Sequence, residues 1–148
     1  MGPLTPPDGS SLYLDTNCII YSVEHIEPYA GLLLPIWQRA RSGALRLRTS
    51  NLALLETLVG PLKAGDTALA DAYRQLLKRS TELQLVAMSE AVLEQAAALR
   101  AGTGLKTPDA IHAATALVAG CSHLISNDPA FRRVANLVVV VLSDLVPP

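Results

Sequence analysis

Short apolar runs, each closed by polar residues and separated from the next by a stretch with helical spacing, set the tightest limit on how this chain can fold. Leu12-Tyr13-Leu14 stops at Asp15, and Leu45-Arg46-Leu47-Arg48-Thr49 alternates apolar with basic residues, as a half-exposed strand does. Leu83-Gln84-Leu85-Val86, His123-Leu124-Ile125-Ser126 and Val138 to Leu142 complete the series, the last reading as a fully buried strand. Strands alternating with helices predict a three-layer α/β/α sandwich around a mainly parallel central sheet of about five strands, with right-handed crossovers. In such folds ligands bind outside the carboxyl ends of the strands.

The intervening segments carry helix punctuation. A helix is expected from Asn17 through Tyr21, and a second from Tyr29 to Ser42, exposing Gln38, Arg39 and Arg41 and stopped by Gly43 as a C-cap. Ser50 is placed to cap the helix that carries Leu52, Leu54, Leu55, Glu56 and Leu58. An amphipathic helix runs from about Asp66 to Ser80. Ser89 caps another, which Gly102 and Gly104 break. Thr107-Pro108 opens the last helix, because proline at the first helical position gives up no hydrogen bond. Asp109 then lies in the first turn of an alanine-rich helix that can approach a sheet closely.

With 148 residues, 50% of them hydrophobic, the chain can bury one core and is short for two. Residues 1–10, with three prolines and two glycines, read as a flexible tail, leaving 11–148 as a single domain. No apolar run approaches the ~20 residues that span a bilayer, and no basic start precedes an apolar stretch, so a soluble cytoplasmic protein without membrane association is expected. A net charge of -1 excludes a globally basic nucleic-acid-binding protein, so any grip on nucleic acid comes from local patches or bound metal. Cys18 and Cys121 lack zinc-type spacing and read as buried reduced thiols.

Acids recur where the fold opens its crevice. Asp15 and Asp128 each follow a predicted strand, Glu56 sits on the helix after another, and Asp109 opens the alanine-rich helix. Carboxylates gathered without basic partners repel by about 4 kcal/mol at ~4 Å and an effective dielectric of ~20. Such a site asks for a hard divalent cation, Mg²⁺ or Mn²⁺, and the chemistry this suits is phosphodiester hydrolysis.

The order of these segments resembles the PIN domain, most closely the VapC-like ribonuclease toxins. Leu14-Asp15-Thr16-Asn17, Leu55-Glu56-Thr57, Thr107-Pro108-Asp109-Ala110-Ile111-His112-Ala113-Ala114-Thr115-Ala116 and Ile125-Ser126-Asn127-Asp128 before Phe131 carry the resemblance, which covers about Leu12 to Leu142. It implies a PIN-like fold and places Asp15 and Asp109 among the metal ligands, with Glu56 and Asp128 completing a catalytic acidic pocket. Thr16, Asn17 and Ser126 would support it, the serine standing where the family commonly has threonine and keeping the hydroxyl. It further implies a Mg²⁺- or Mn²⁺-dependent endoribonuclease acting on RNA, a homodimer, and a cognate antitoxin whose tail occupies the active-site groove.

Each acid also has an ordinary role: Asp15 as a helix cap, Asp109 as a first-turn acid favoured by the helix dipole, Glu56 as a polar side chain facing solvent and Asp128 as a turn former. The alternative function is accordingly a catalytically silent PIN-fold module that binds RNA or protein. A phosphatase using Asp15 as nucleophile is a poorer match, since Asn17 stands where a second aspartate is wanted. Arg46 and Arg48, in the densest basic cluster, are the candidate RNA-binding residues. His112 reads as a packing or supporting residue, one turn after Asp109.

Overall fold

The structure, a computed structural model, describes residues 4–148. Among them, β1 (Ser11–Leu14), β2 (Arg46–Ser50), β3 (Leu83–Val86), β4 (His123–Ser126) and β5 (Val138–Val141) form one sheet in the order β3-β2-β1-β4-β5. All four pairings are parallel. The helices are α1 (Thr16–Val23), α2 (Tyr29–Arg41), α3 (Leu52–Ala64), α4 (Thr67–Arg79), α5 (Glu90–Thr103) and α6 (Thr107–Val118), with short 3₁₀ turns at Pro129–Arg133 and Leu142–Leu145. The three-layer parallel α/β expectation holds.

Alternating side chains along each strand feed two cores on opposite faces of the sheet. Leu12 and Leu14 of β1 join Leu47, Ile125, Ile19, Leu33, Ile36 and Tyr73 on the side of α1, α2 and α4. Tyr13 points the other way, into a cluster with Leu124, Val92, Phe131 and the α6 alanines Ala110, Ala113, Ala114 and Ala116. Those four alanines are wholly buried, which lets α6 lie between the sheet and α5. Strand order reverses between β1 and β4, and the Asp15 N–H donates across that junction to the Ile125 carbonyl at 3.2 Å. The crevice at the carboxyl ends of β1 and β4 is therefore the place where ligands are expected.

Several local expectations need correction. Ser50 ends β2 and does not cap α3: its backbone pairs with Val86, its N–H is taken by the Tyr13 hydroxyl, and Asn51 occupies the cap position. The Ser50 hydroxyl still accepts the Leu52 N–H at 3.1 Å. Gly102 lies within α5, which runs to Thr103 before Gly104 turns the chain at φ +74. Val138 is 57% exposed and Val139 and Val140 are only partly buried, as suits an edge strand with β4 on one side only, so the fully buried reading holds only from Val141 on.

Of the proline-rich leader, residues 1–3 lie outside the described residues. Leu4 packs against the first core, Pro6 is buried, Asp8 pairs with Arg39 at 2.5 Å, and the Gly9 N–H donates to the Ala44 carbonyl at 2.7 Å. Among the described residues no helix is long and apolar enough to cross a membrane. Cys18 and Cys121 are free and buried.

Candidate active site

Asp15 follows β1 directly and is only 5% exposed. Its Oδ1 accepts the Cys18 N–H at 3.2 Å, capping α1, while its Oδ2 accepts the Ser126 hydroxyl at 2.5 Å. Burial raises its pKa above the usual carboxylate range, against the opposing pull of those hydrogen bonds and of His112. The helix-cap role expected of an isolated aspartate is thus real, and it coexists with a place on the cavity wall.

Glu56 reaches the same place from the first half of α3. Burial works against its charge, but hydrogen bonds from His112 and Thr16 outweigh that and bring its pKa below the ordinary value. Both donors meet Oε1, His112 Nε2 at 2.6 Å and Thr16 Oγ1 at 2.7 Å. Asp109, in the first turn of α6, is partly buried, and its pKa is raised by burial and then by the charge of Asp128, with Asp15 and Glu56 adding to it and His112 opposing. Asp128 caps the 3₁₀ turn after β4 by accepting the Ala130 N–H at 2.9 Å, and gives its own N–H to the Ser126 hydroxyl at 2.9 Å.

Asp15, Thr16, Asn17, Ile20, Glu56, Asp109 and His112 line a cavity of about 210 Å³ open to solvent. Asp128 is not on its wall, but its charge reaches Asp109. Ser126 stands behind the wall, fully buried, tying Asp15 to Asp128. Of the residues named from sequence, Asp15, Glu56, Asp109, Thr16 and Asn17 share the cavity wall, whereas Ser126 and Asp128 lie off it.

Arg46 and Arg48 are not brought there. Neither lines the cavity, and Arg46 opens β2 in register with Ser11, four residues before Ser50 and so about 13 Å back along the strand at ~3.3 Å per residue. It borders instead a surface hollow with Thr81, Glu82 and Gln84.

Sequence reasoning missed Tyr13 and undervalued His112. Tyr13, read only as an apolar strand residue, places its hydroxyl 2.5 Å from His112 Nδ1. A tyrosine inside a buried strand needs a partner for its hydroxyl, and a histidine three residues past Asp109 shares that helix face; both were signals.

No lysine or arginine lines this cavity, so its acids lack a basic counter-charge on its wall. Among the described residues no group of three or more His, Cys, Asp or Glu side chains is arranged to hold a metal ion by itself. The carboxylates on the wall, Asp15, Glu56 and Asp109, are oxygen donors of the kind that suit Mg²⁺ or Mn²⁺, which take one or two carboxylates and keep several waters.

The PIN domain family model matches residues 12–137. No curated protein matches the chain. Among solved structures, VapBC2 from Rickettsia felis bound to a promoter DNA fragment is similar at 20% identity and a TM-score of 0.69, over 88% of this chain and 97% of that one. A toxin-antitoxin complex from Klebsiella pneumoniae is 26% identical with a TM-score of 0.65, over 87% and 96%. Mycobacterium tuberculosis VapC20, described as a toxin that cleaves the sarcin-ricin loop, is 18% identical with a TM-score of 0.65, over 82% and 92%. With its parallel sheet, its acids at the β1–β4 junction and a family match running almost end to end, the chain belongs to the PIN domain family.

Proposed function

We propose that this chain is a divalent-metal-dependent endoribonuclease, the toxin half of a cytoplasmic toxin-antitoxin pair, working with Mg²⁺ or Mn²⁺. One observation carries the reading: Asp15, Glu56 and Asp109 line one cavity whose wall offers no lysine or arginine, and burial with the charge of Asp128 raises the Asp109 pKa while His112 opposes. Carboxylates gathered in this way without lysine or arginine favour a bound cation over an empty structural cluster.

Asp15 and Asp109 are the acids we assign to hold the ion, with Glu56 and Asp128 orienting water around it. When bound, such an ion neutralises charge on the phosphoryl group and makes water a better nucleophile at neutral pH. The chain's own part is to fix the acids. Ser126 and the Cys18 N–H pin Asp15, and Thr16 and His112 pin Glu56, so little reorganisation is needed when substrate arrives. Glu56, with its pKa lowered, is ionised at neutral pH and presents its charge to water at the cavity.

The antitoxin reading draws support from the similar structures, several of which are toxin-antitoxin complexes. It also draws support from α3, where Leu55, Val59 and Leu62 are 63%, 49% and 60% exposed at helical spacing beside Glu56. An apolar stripe bordering an acidic cavity suits a protein segment that covers the site. A homodimer is the assembly the family resemblance implies.

The test is cleavage of a panel of structured and single-stranded RNAs by wild type and Asp15→Asn, each with Mg²⁺, Mn²⁺ or a chelator. Cleavage that needs metal and disappears in Asp15→Asn is expected. Folded protein that neither binds Mn²⁺ nor cuts any RNA would overturn the nuclease reading.

A further inference from the structure

A tyrosine hydroxyl buried in a sheet must find partners, since leaving it unpaired costs the whole desolvation of the group. Tyr13 is fully buried, and its hydroxyl oxygen accepts the Ser50 N–H at 2.9 Å. That leaves the phenolic hydrogen for His112 Nδ1, 2.5 Å away. An imidazole that accepts at Nδ1 carries its hydrogen on Nε2, which lies 2.6 Å from Glu56 Oε1. Each group from Ser50 through Tyr13 and His112 donates to the next, and the chain ends on a carboxylate.

The path crosses four elements, from β2 through β1 and α6 to α3, and His112 within it is only 3% exposed. Thr16 adds a second donor to the same Glu56 oxygen. Among the described residues no hydrogen bond is made to the other oxygen, Oε2. Because His112 is three residues past Asp109 on α6, a tether from His112 to Glu56 also fixes the spacing of those two acids.

We propose that Tyr13 and His112 are positioning residues that lock Glu56 by Oε1 through a one-way hydrogen-bond relay and leave Oε2 for the water around the cation of the cavity. The inference rests on the metal-dependent reading above. The relay works as a neutral donor-acceptor link, so a side chain with one acceptor and one donor at similar spacing can replace the imidazole, whereas an apolar ring cannot. Partners of this kind behind a metal site typically change its affinity by an order of magnitude or more.

The experiment measures Mn²⁺ affinity in wild type, H112Q, H112F and Y13F, together with RNA cleavage and the imidazole ¹⁵N spectrum. We expect H112F and Y13F to bind Mn²⁺ about tenfold or more weakly, and H112Q to stay within about threefold of wild type. The wild-type spectrum should show the Nε2–H tautomer for His112, a result that needs no variant to fold. Unchanged Mn²⁺ affinity in folded H112F, or a hydrogen on Nδ1 in wild type, overturns the relay. H112Q that binds Mn²⁺ normally but no longer cuts RNA would make His112 a proton carrier and overturn the positioning role. Wild type that binds no Mn²⁺ sinks the metal-dependent reading and the relay with it, whereas tight binding by wild type and H112F alike sinks the relay alone.

Discussion

Ser126 and Asp15, the last residue of β4 and the first residue past β1, are joined by a buried hydrogen bond in which the serine hydroxyl donates to Oδ2 at 2.5 Å. The same hydroxyl oxygen accepts the Asp128 N–H, so one side chain closes the β1–β4 junction and orders two of the site's acids. Ser126→Ala would remove the hydroxyl from both partners at a fully buried position, one of them the largely buried Asp15. The expected cost is about 1–3 kcal/mol of unfolding free energy, read from urea denaturation of the metal-free protein, and Ser126→Thr, which keeps the hydroxyl, should lose less.

The position of Arg46 leads to an expectation opposite to the one its sequence neighbourhood suggests. It sits at the amino end of β2, on a hollow with Glu82 and away from the acidic cavity. A side chain that contacts RNA phosphates changes the slope of affinity against salt when it is removed. Arg46→Ala should leave both RNA affinity and that slope unaltered. A slope reduced by about one would return this residue to the RNA path.

The sheet and the acids were legible because they depend on local signals. A three-residue apolar run ending in Asp15 already says strand, turn and helix cap, and Thr107-Pro108 announces the start of α6 one residue before Asp109. What stayed hidden depends on pairing across the chain. Whether Ser50 caps a helix or ends a strand is settled by Val86 and by the Tyr13 hydroxyl, neither of which its neighbours in sequence reveal. Val138 looks like core by composition, and only the strand order shows that it lies on an edge. Tyr13 and His112 are 99 residues apart, and no local pattern predicts that they touch.

Leu55 offers a test of the partner-facing surface that leaves the chemistry intact. It is 63% exposed, next to Glu56, and contributes to neither core. Leu55→Arg should change the stability of the isolated chain by no more than about 0.5 kcal/mol, as for other exposed positions. Inhibition of RNA cleavage by the cognate antitoxin should nevertheless weaken, because a charge on the apolar stripe has to be desolvated when the stripe is covered. Full inhibition of this variant at wild-type antitoxin concentrations would remove α3 from the partner surface.

Asp109 ties the electrostatics of the site to its stability, and the sign can be worked out. Its folded-state pKa is raised, by burial first and then by Asp128, Asp15 and Glu56. An acid raised in this way binds more protons folded than unfolded between its ordinary and its raised pKa, so stability falls as pH climbs through that window and stays reduced above it. At pH 7 the ionised side chain is therefore a burden on the metal-free protein. Asp109→Asn should raise its melting temperature there, and the advantage should shrink once the pH drops below the ordinary aspartate range and both chains are uncharged at this position. Added Mn²⁺ should reverse the order, since a ligand at 100 times its Kd stabilises by about 2.7 kcal/mol and the amide variant has lost a ligand oxygen's charge. Thermal scans across pH 3–8, with chelator and with Mn²⁺, read both effects. An Asp109→Asn protein less stable than wild type in chelator at pH 7 would show that the carboxylate is held by favourable contacts and not strained by its neighbours.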